Sequence, residues 1–170
     1  YMNTGSQLSY STPFGHRTST SEVGGSQSGK RFHHKDTPQI FAACNLPYVF
    51  TATEGYPEDF MRKICKAQWY AQHEGMVYGK VLSFCPLNWR TPDDAAQEVL
   101  QTAVDSCFFP LYEVEKGHTS ITYDPDAVGR RRAVGDWLGM MGKTKHILAP
   151  EHADQLDAVE TDVEKRSAAK

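Results

Sequence analysis

Apolar positions are unevenly spread along the chain. Their spacing separates a patternless first stretch from an alternating series of strand-like and helix-like runs. From Asp36 a short helical stretch passes through Ile40, Phe41 and Cys44 to Asn45. The apolar run Pro47 to Thr53 that follows has the length and composition of a buried strand. Gly55-Tyr56-Pro57-Glu58-Asp59 supplies a helix start, with proline at the first helical position and two acids in the first turn, where the helix dipole favours them. Phe60, Ile64, Ala67 and Ala71 recur at helical spacing up to Gly75, which predicts them as the buried face and Gly75 as the cap. A second strand is predicted over 76–84, ending in Cys85-Pro86. Strand, helix, strand in this order predicts a parallel crossover unit.

Thr91-Pro92-Asp93-Asp94 reads as another helix start with Thr91 in a cap-like place, and Ala95, Val99, Leu100, Ala103 and Val104 form its buried side. Alternation over 109–115 and 119–123 around Lys116-Gly117 predicts a hairpin, set as an excursion beside the parallel sheet. A helical pattern surrounds Val134, Trp137, Leu138 and Met141. The tail 150–170 is rich in Ala, Asp, Glu and Lys, which predicts a surface helix or a disordered segment. Its Leu156, Val159 and Val163 leave docking on a partner subunit as the alternative. The expected fold class is therefore α/β, a parallel sheet with a hairpin excursion and a helical tail. The chain divides into 1–36, a loop region, 37–125, the α/β domain, and 126–170, a helical extension.

Residues 1–36 are dominated by Ser, Thr, Gly and Gln and carry no periodicity. Composition favours a mobile linker. Tyr1, Tyr10, Phe14, Phe32 and His33-His34 point instead to a functional loop, because long structureless loops in compact domains are usually functional or disordered.

The net charge is −3, with 18 basic residues scattered rather than gathered, so there is no electrostatic footprint for nucleic acid. Cys44, Cys65, Cys85 and Cys107 include no C-x-x-C pair and fit neither a disulfide scaffold nor a self-contained zinc site. No apolar run approaches the roughly 18 residues that cross a bilayer. A soluble cytoplasmic protein without a membrane span is expected.

Ligands of α/β sheets bind in loops that follow the carboxyl ends of strands. One such loop is Tyr1 to Gly15, where Asn3, Thr4 and Gly5 offer an amide, a hydroxyl and close backbone approach. These suit a pyrophosphate or small carboxylate, but an Asx-type turn accounts for the bare tripeptide better. The other is Cys85 to Arg90. Cysteine followed by proline occurs at iron–sulfur ligands, yet a lone cysteine cannot build a cluster and a buried inert thiol accounts for it better.

Taken in order, Tyr1-Met2-Asn3-Thr4-Gly5-Ser6-Gln7, Ser9, Thr12-Pro13, Gly15, Lys35-Asp36, Tyr56-Pro57-Glu58-Asp59 and Ser83-Phe84-Cys85-Pro86 with Trp89-Arg90 resemble a known family. It is the beta subunits of pyruvate:ferredoxin oxidoreductase and related 2-oxoacid:acceptor oxidoreductases, and the likeness covers roughly residues 1–123. The resemblance implies the carboxy-terminal part of a thiamine-diphosphate-binding fold in a CoA-dependent oxidative decarboxylation of a 2-oxoacid. Pyruvate, or a branched or aryl acid such as phenylglyoxylate, is the implied substrate. The implied cofactors are thiamine diphosphate, Mg2+ and a 4Fe-4S cluster. The implied partners are alpha, gamma and ferredoxin-like subunits and an electron acceptor such as ferredoxin.

On this resemblance Asn3 positions the substrate or its thiamine adduct. Asn3, Thr4, Gly5 and Gln7 line the cofactor pocket, and Cys85 is the last of four cluster ligands. The magnesium ligands and the other three cysteines are expected before Tyr1, and a fragment without them is not expected to fold alone. His16-Arg17 and His33-His34 depart from the family pattern, and His16 and Arg17 are expected as exposed loop residues or as contacts to a carboxylate or coenzyme phosphate. A non-redox thiamine carboligase and a non-catalytic interaction domain are the alternatives.

Overall fold

The computed structural model describes residues 6–21, 23–24 and 27–168. After the two-residue strands β1 (Val23–Gly24) and β2 (Gln27–Ser28), the elements are α1 (Thr37–Ala43), β3 (Tyr48–Thr53), α2 (Pro57–His73), β4 (Val77–Leu82), α3 (Pro86–Trp89), α4 (Ala96–Asp105), β5 (Leu111–Glu115), β6 (His118–Tyr123), α5 (Val134–Gly139) and α6 (Ala153–Ala168). The fold is α/β, as the alternating pattern predicts.

The sheet differs from the expected parallel one. Its order is β4-β3-β5-β6. β3 and β4 are parallel, in register from Tyr48 opposite Val77 to Thr53 opposite Leu82. The hairpin is no excursion: β5 pairs antiparallel with β3, Val49 opposite Val114, so the sheet is mixed. A strand in a hairpin presents a free outer edge, and β3 offers a matching row of backbone donors and acceptors that nothing else among the described residues occupies. At the turn, Lys116 and Gly117 both have positive φ, 49° and 83°, the conformation whose twist suits a two-residue hairpin.

β3 is buried throughout because helices cover both faces. Tyr48, Phe50 and Ala52 pack on Ala67 and Tyr70 of α2, while Val49 joins Leu46, Tyr112 and Val114 beneath Phe41 of α1. Gly79 is required opposite Phe50, since a Cβ there would lie 2.3 Å from the Phe50 ring. The main core lies beyond the strand ends, where Trp89, Trp137, Leu138 and Met141 meet Val99, Leu100 and Ala103.

Three local expectations change. The buried face of α2 is Asp59, Lys63, Ala67 and Tyr70, while Ile64 and Ala71 are exposed. A buried ion pair occupies the stripe that apolar periodicity assigns elsewhere: Lys63 donates to Asp59 Oδ2 at 2.6 Å, to the Thr51 carbonyl at 2.8 Å and to Thr122 Oγ1 at 2.7 Å. Thr91 caps nothing, because a 3-10 turn over Asp93–Ala95 precedes α4 and neither start has a side-chain cap. The tail is an ordered helix whose Val159 and Val163 are buried against the chain's own Ile147 and Phe108 cluster, so its apolar residues are already covered.

Candidate functional site

The carboxyl ends of β3 and β4 lie side by side, and the two loops that leave them are tied together. Thr53 Oγ1 donates to the Leu82 carbonyl at 2.8 Å. Glu54 Oε1 accepts from the Phe84 amide at 3.0 Å and the Ser83 hydroxyl at 3.2 Å. Chain direction then reverses at Cys85, which is extended, into the single turn of α3. The turn closes when the Trp89 amide donates to the Cys85 carbonyl at 3.1 Å and Thr91 to Pro86 at 3.2 Å. Proline at the first helical position costs no hydrogen bond there. Cys85 is thereby held half-buried at the rim, its Sγ 4.0 Å from Asn88 Nδ2 and in no disulfide.

Lys143 reaches the same rim from far along the sequence. Its Nζ lies 4.5 Å from the centre of the buried Trp89 ring, a cation–π distance. Burial pushes the Lys143 ammonium down to about 7, opposed by negative charge at Cys85. Sequence reasoning missed Lys143, since it lies in a stretch readable only as helical.

Residues 12–17 and 29–30 cross behind this rim. Gly15 donates to the Lys30 carbonyl at 2.8 Å, Lys30 to the His16 carbonyl at 3.2 Å, and Arg17 to the Lys143 carbonyl at 3.3 Å. The crossing needs glycine at 29, where φ is +124° and a Cβ would meet the Gly15 carbonyl oxygen at 2.4 Å. Lys30 is buried and donates to the carbonyls of Thr12 and, at 3.3 Å, Tyr10; desolvation lowers it to about 8. A segment so tied is not a linker.

His16 is buried, not exposed as expected. It stacks on Phe108 at 5.9 Å and tilts against Trp137, and neither ring nitrogen has a hydrogen-bond partner among the described residues. Burial, with Lys143, His34 and His146 nearby, holds it well below the usual histidine range. His34 lines a second cavity of about 190 Å3 over the sheet with Lys80 and Tyr112, and burial lowers it to about 3. Arg17 is half-buried and faces a cavity beside the Cys85 loop.

Asn3, Thr4 and Gly5 lie outside the described residues. Gln7 is exposed, and the hydroxyls next to it are used locally: Thr12 Oγ1 accepts from the Ser9 amide and Ser9 Oγ donates to Ser11 Oγ, each at 3.1 Å. No group of three or more His, Cys, Asp or Glu side chains suited to a metal ion occurs among the described residues. Cys85 belongs to no such group among the described residues. Cys44 and Cys65 are exposed and Cys107 is buried beside Arg131, at 2.8 Å from its Nη1.

No protein-family model matches the chain. Among curated proteins it is 42% identical to pyruvate synthase subunit PorB of Methanocaldococcus jannaschii, over 86% of this chain and 47% of that protein. It is 35% identical to ketoisovalerate oxidoreductase subunit VorB of Pyrococcus furiosus, over 86% and 46%, and 34% identical to PorB of the same organism, over 92% and 51%. The chain is homologous to PorB and VorB beta subunits. The resemblance read from its motifs is thus borne out. The chain spans about half the length of the PorB and VorB relatives it matches. No helix among the described residues is long and apolar enough to cross a membrane.

Proposed function

We propose that the chain is part of the thiamine-binding subunit of a 2-oxoacid:ferredoxin oxidoreductase, in which Cys85 supplies one thiolate to a 4Fe-4S cluster. The observation that carries this reading is the placement of Cys85. In a chain homologous to PorB and VorB, the single thiol at the carboxyl end of the parallel pair is the one left half-exposed on a rim beside a buried lysine. A thiolate-ligated cluster is anionic, and a cation nearby stabilises its reduced, more negative state.

Asn3, Thr4, Gly5 and Gln7 are assigned to the cofactor and substrate loop, with Asn3 orienting the 2-oxoacid. When bound, thiamine diphosphate serves as the electron sink for loss of carbon dioxide, and the cluster takes electrons one at a time. The chain's own share is to orient the substrate at Asn3, hold the Cys85 sulfur in place through the Glu54 latch, and shield the rim with Trp89 and Phe84. Two relatives are named for pyruvate and one for ketoisovalerate, so a small aliphatic 2-oxoacid is the proposed substrate class, with phenylglyoxylate as the aryl acid to assay against it. Coenzyme A as acyl acceptor and alpha, gamma and ferredoxin-like partners complete the reading. The packed first loop counts against a mere interaction domain, and the rim thiol counts against a non-redox carboligase.

The test is Cys85→Ser in the assembled complex, with iron and acid-labile sulfide quantified and the reduced protein examined by electron paramagnetic resonance. One cluster signal should disappear while the others persist. An unchanged spectrum and iron content sinks the ligand assignment.

A further inference from the structure

A cavity of about 430 Å3 opens beside the Cys85 loop, lined chiefly by Arg17, Thr18, Ser19, Asn88, Arg90 and Lys143. No aspartate or glutamate lines it among the described residues. Its arginines also differ from five of the six others, the exposed Arg31 being the exception. Arg62, Arg130, Arg131, Arg132 and Arg166 each meet a carboxylate within 4 Å. Arg17 and Arg90 meet none among the described residues, and Arg17 Nε is buried without a hydrogen-bond partner.

The backbone brings these cations together from three segments remote in sequence. Arg17 follows the crossing at Gly15 and is fixed by the hydrogen bond that its backbone amide donates to the Lys143 carbonyl. Arg90 ends α3 in the left-handed conformation, φ 54°. Gly142 admits it, since a Cβ at that position would lie 2.7 Å from the Arg90 Cβ. Like charges gathered at a partly buried wall repel one another, and their arrangement becomes favourable when a multiply charged anion enters. Planar guanidinium forks match the oxygens of phosphate, and the hydroxyls and the Asn88 amide supply neutral partners.

We propose that this cavity is a phosphate-binding subsite in which Arg17 and Arg90 donate paired hydrogen bonds to a phosphate group of a bound ligand. The volume exceeds what a single phosphate needs and falls in the range of small-molecule pockets. A phosphorylated nucleotide-like ligand and free inorganic phosphate share this chemistry. The inference stands on the cavity alone, independent of the assignment of Cys85.

Binding of adenosine 3′,5′-bisphosphate and of inorganic phosphate to the assembled complex, measured by calorimetry, tests it. Arg17→Gln and Arg90→Gln are each expected to weaken binding about tenfold or more, as loss of a charge-assisted bond does. Arg17→Lys should restore part of the loss. Ser19→Asp, at an exposed position, places a carboxylate in the cavity without removing a packed side chain and should abolish binding. Losses confined to the bisphosphate identify a nucleotide-like ligand, and equal losses for both probes identify a free-anion site. Unchanged affinity for both probes in all three charge-changing variants overturns the proposal, whatever the cluster content of Cys85→Ser shows.

Discussion

Lys63 and Lys143 are both buried, at 0% and 5% exposure, yet they sit in opposite company. Lys63 lies between α2 and the sheet and spends all three ammonium protons on Asp59, Thr51 and Thr122. Around it the hairpin side is closed by further pairs: Lys66 bridges Glu113 and Glu115, and Tyr48 donates to Glu113 at 2.6 Å. Lys143 lies at the carboxyl end of the parallel strands, over a ring, beside a thiol, across a cavity from two arginines that meet no carboxylate among the described residues. The hairpin side satisfies its polar groups internally and so has little left to offer a ligand. The strand-end side concentrates cations and empty volume, which is the arrangement of a place that receives something negative.

The sharpest way to break this contrast is to open the closed side. Lys63→Met leaves Asp59 nearly buried with Arg62, at 2.7 Å, as its remaining partner. The assembled complex should lose about 3 kcal/mol of stability in denaturant unfolding, the low end for stripping one member from a buried pair. Asp59→Leu combined with Lys63→Met should recover most of it. If Lys63→Met costs no more than an exposed lysine, the two sides do not differ as described.

Acid should separate the sides next. His34 lies at about 3 in the folded chain against about 6.5 when unfolded, depressed first by burial and then by Arg166 and Lys80. Between pH 6.5 and 3 the unfolded chain therefore binds the extra proton. Stability is fully present above 6.5 and falls as pH drops through that window, by up to about 1.4 kcal/mol per pH unit for one such group. Asp36 also faces the cavity that His34 lines. His34→Gln should flatten the acid limb of the stability curve by one proton, and an unaltered slope would show that His34 titrates as in the unfolded chain.

What was legible in the sequence follows the same division. Local chemistry showed where β3, α2, β4 and the hairpin lie, because Pro57, Gly75 and Lys116-Gly117 act on their own neighbours. The buried face of α2 was not legible, since apolar periodicity cannot register a lysine that becomes buried by meeting an aspartate one turn away. Nor was the pairing of β5 with β3, which is a long-range choice of edge. At the site, residue chemistry alone favoured an inert thiol at Cys85, and only the family resemblance singled it out. The convergence of Arg17, Arg90 and Lys143 was not legible, because it depends on a glycine crossing and on a missing Cβ at Gly142.

The smallest expected effect concerns Glu54, the residue through which one strand end disciplines the other. Its carboxylate holds the Phe84 amide and Ser83 hydroxyl and touches neither substrate nor sulfur, so it is a positioning residue. The carboxylate is exposed, and Glu54→Ala should cost below about 1 kcal/mol in stability. Stability is the wrong place to look for its role. Freed from the latch, the Ser83-Phe84 turn lets Cys85 sample more than one orientation, which should broaden the resonance of the cluster proposed at Cys85 while leaving iron content unchanged. Glu54→Gln keeps an oxygen that can accept both bonds and should restore the narrow line. If Glu54→Gln broadens the signal as much as Glu54→Ala, charge rather than position is what Glu54 supplies, and the two strand ends are coupled through the electric field instead of the latch.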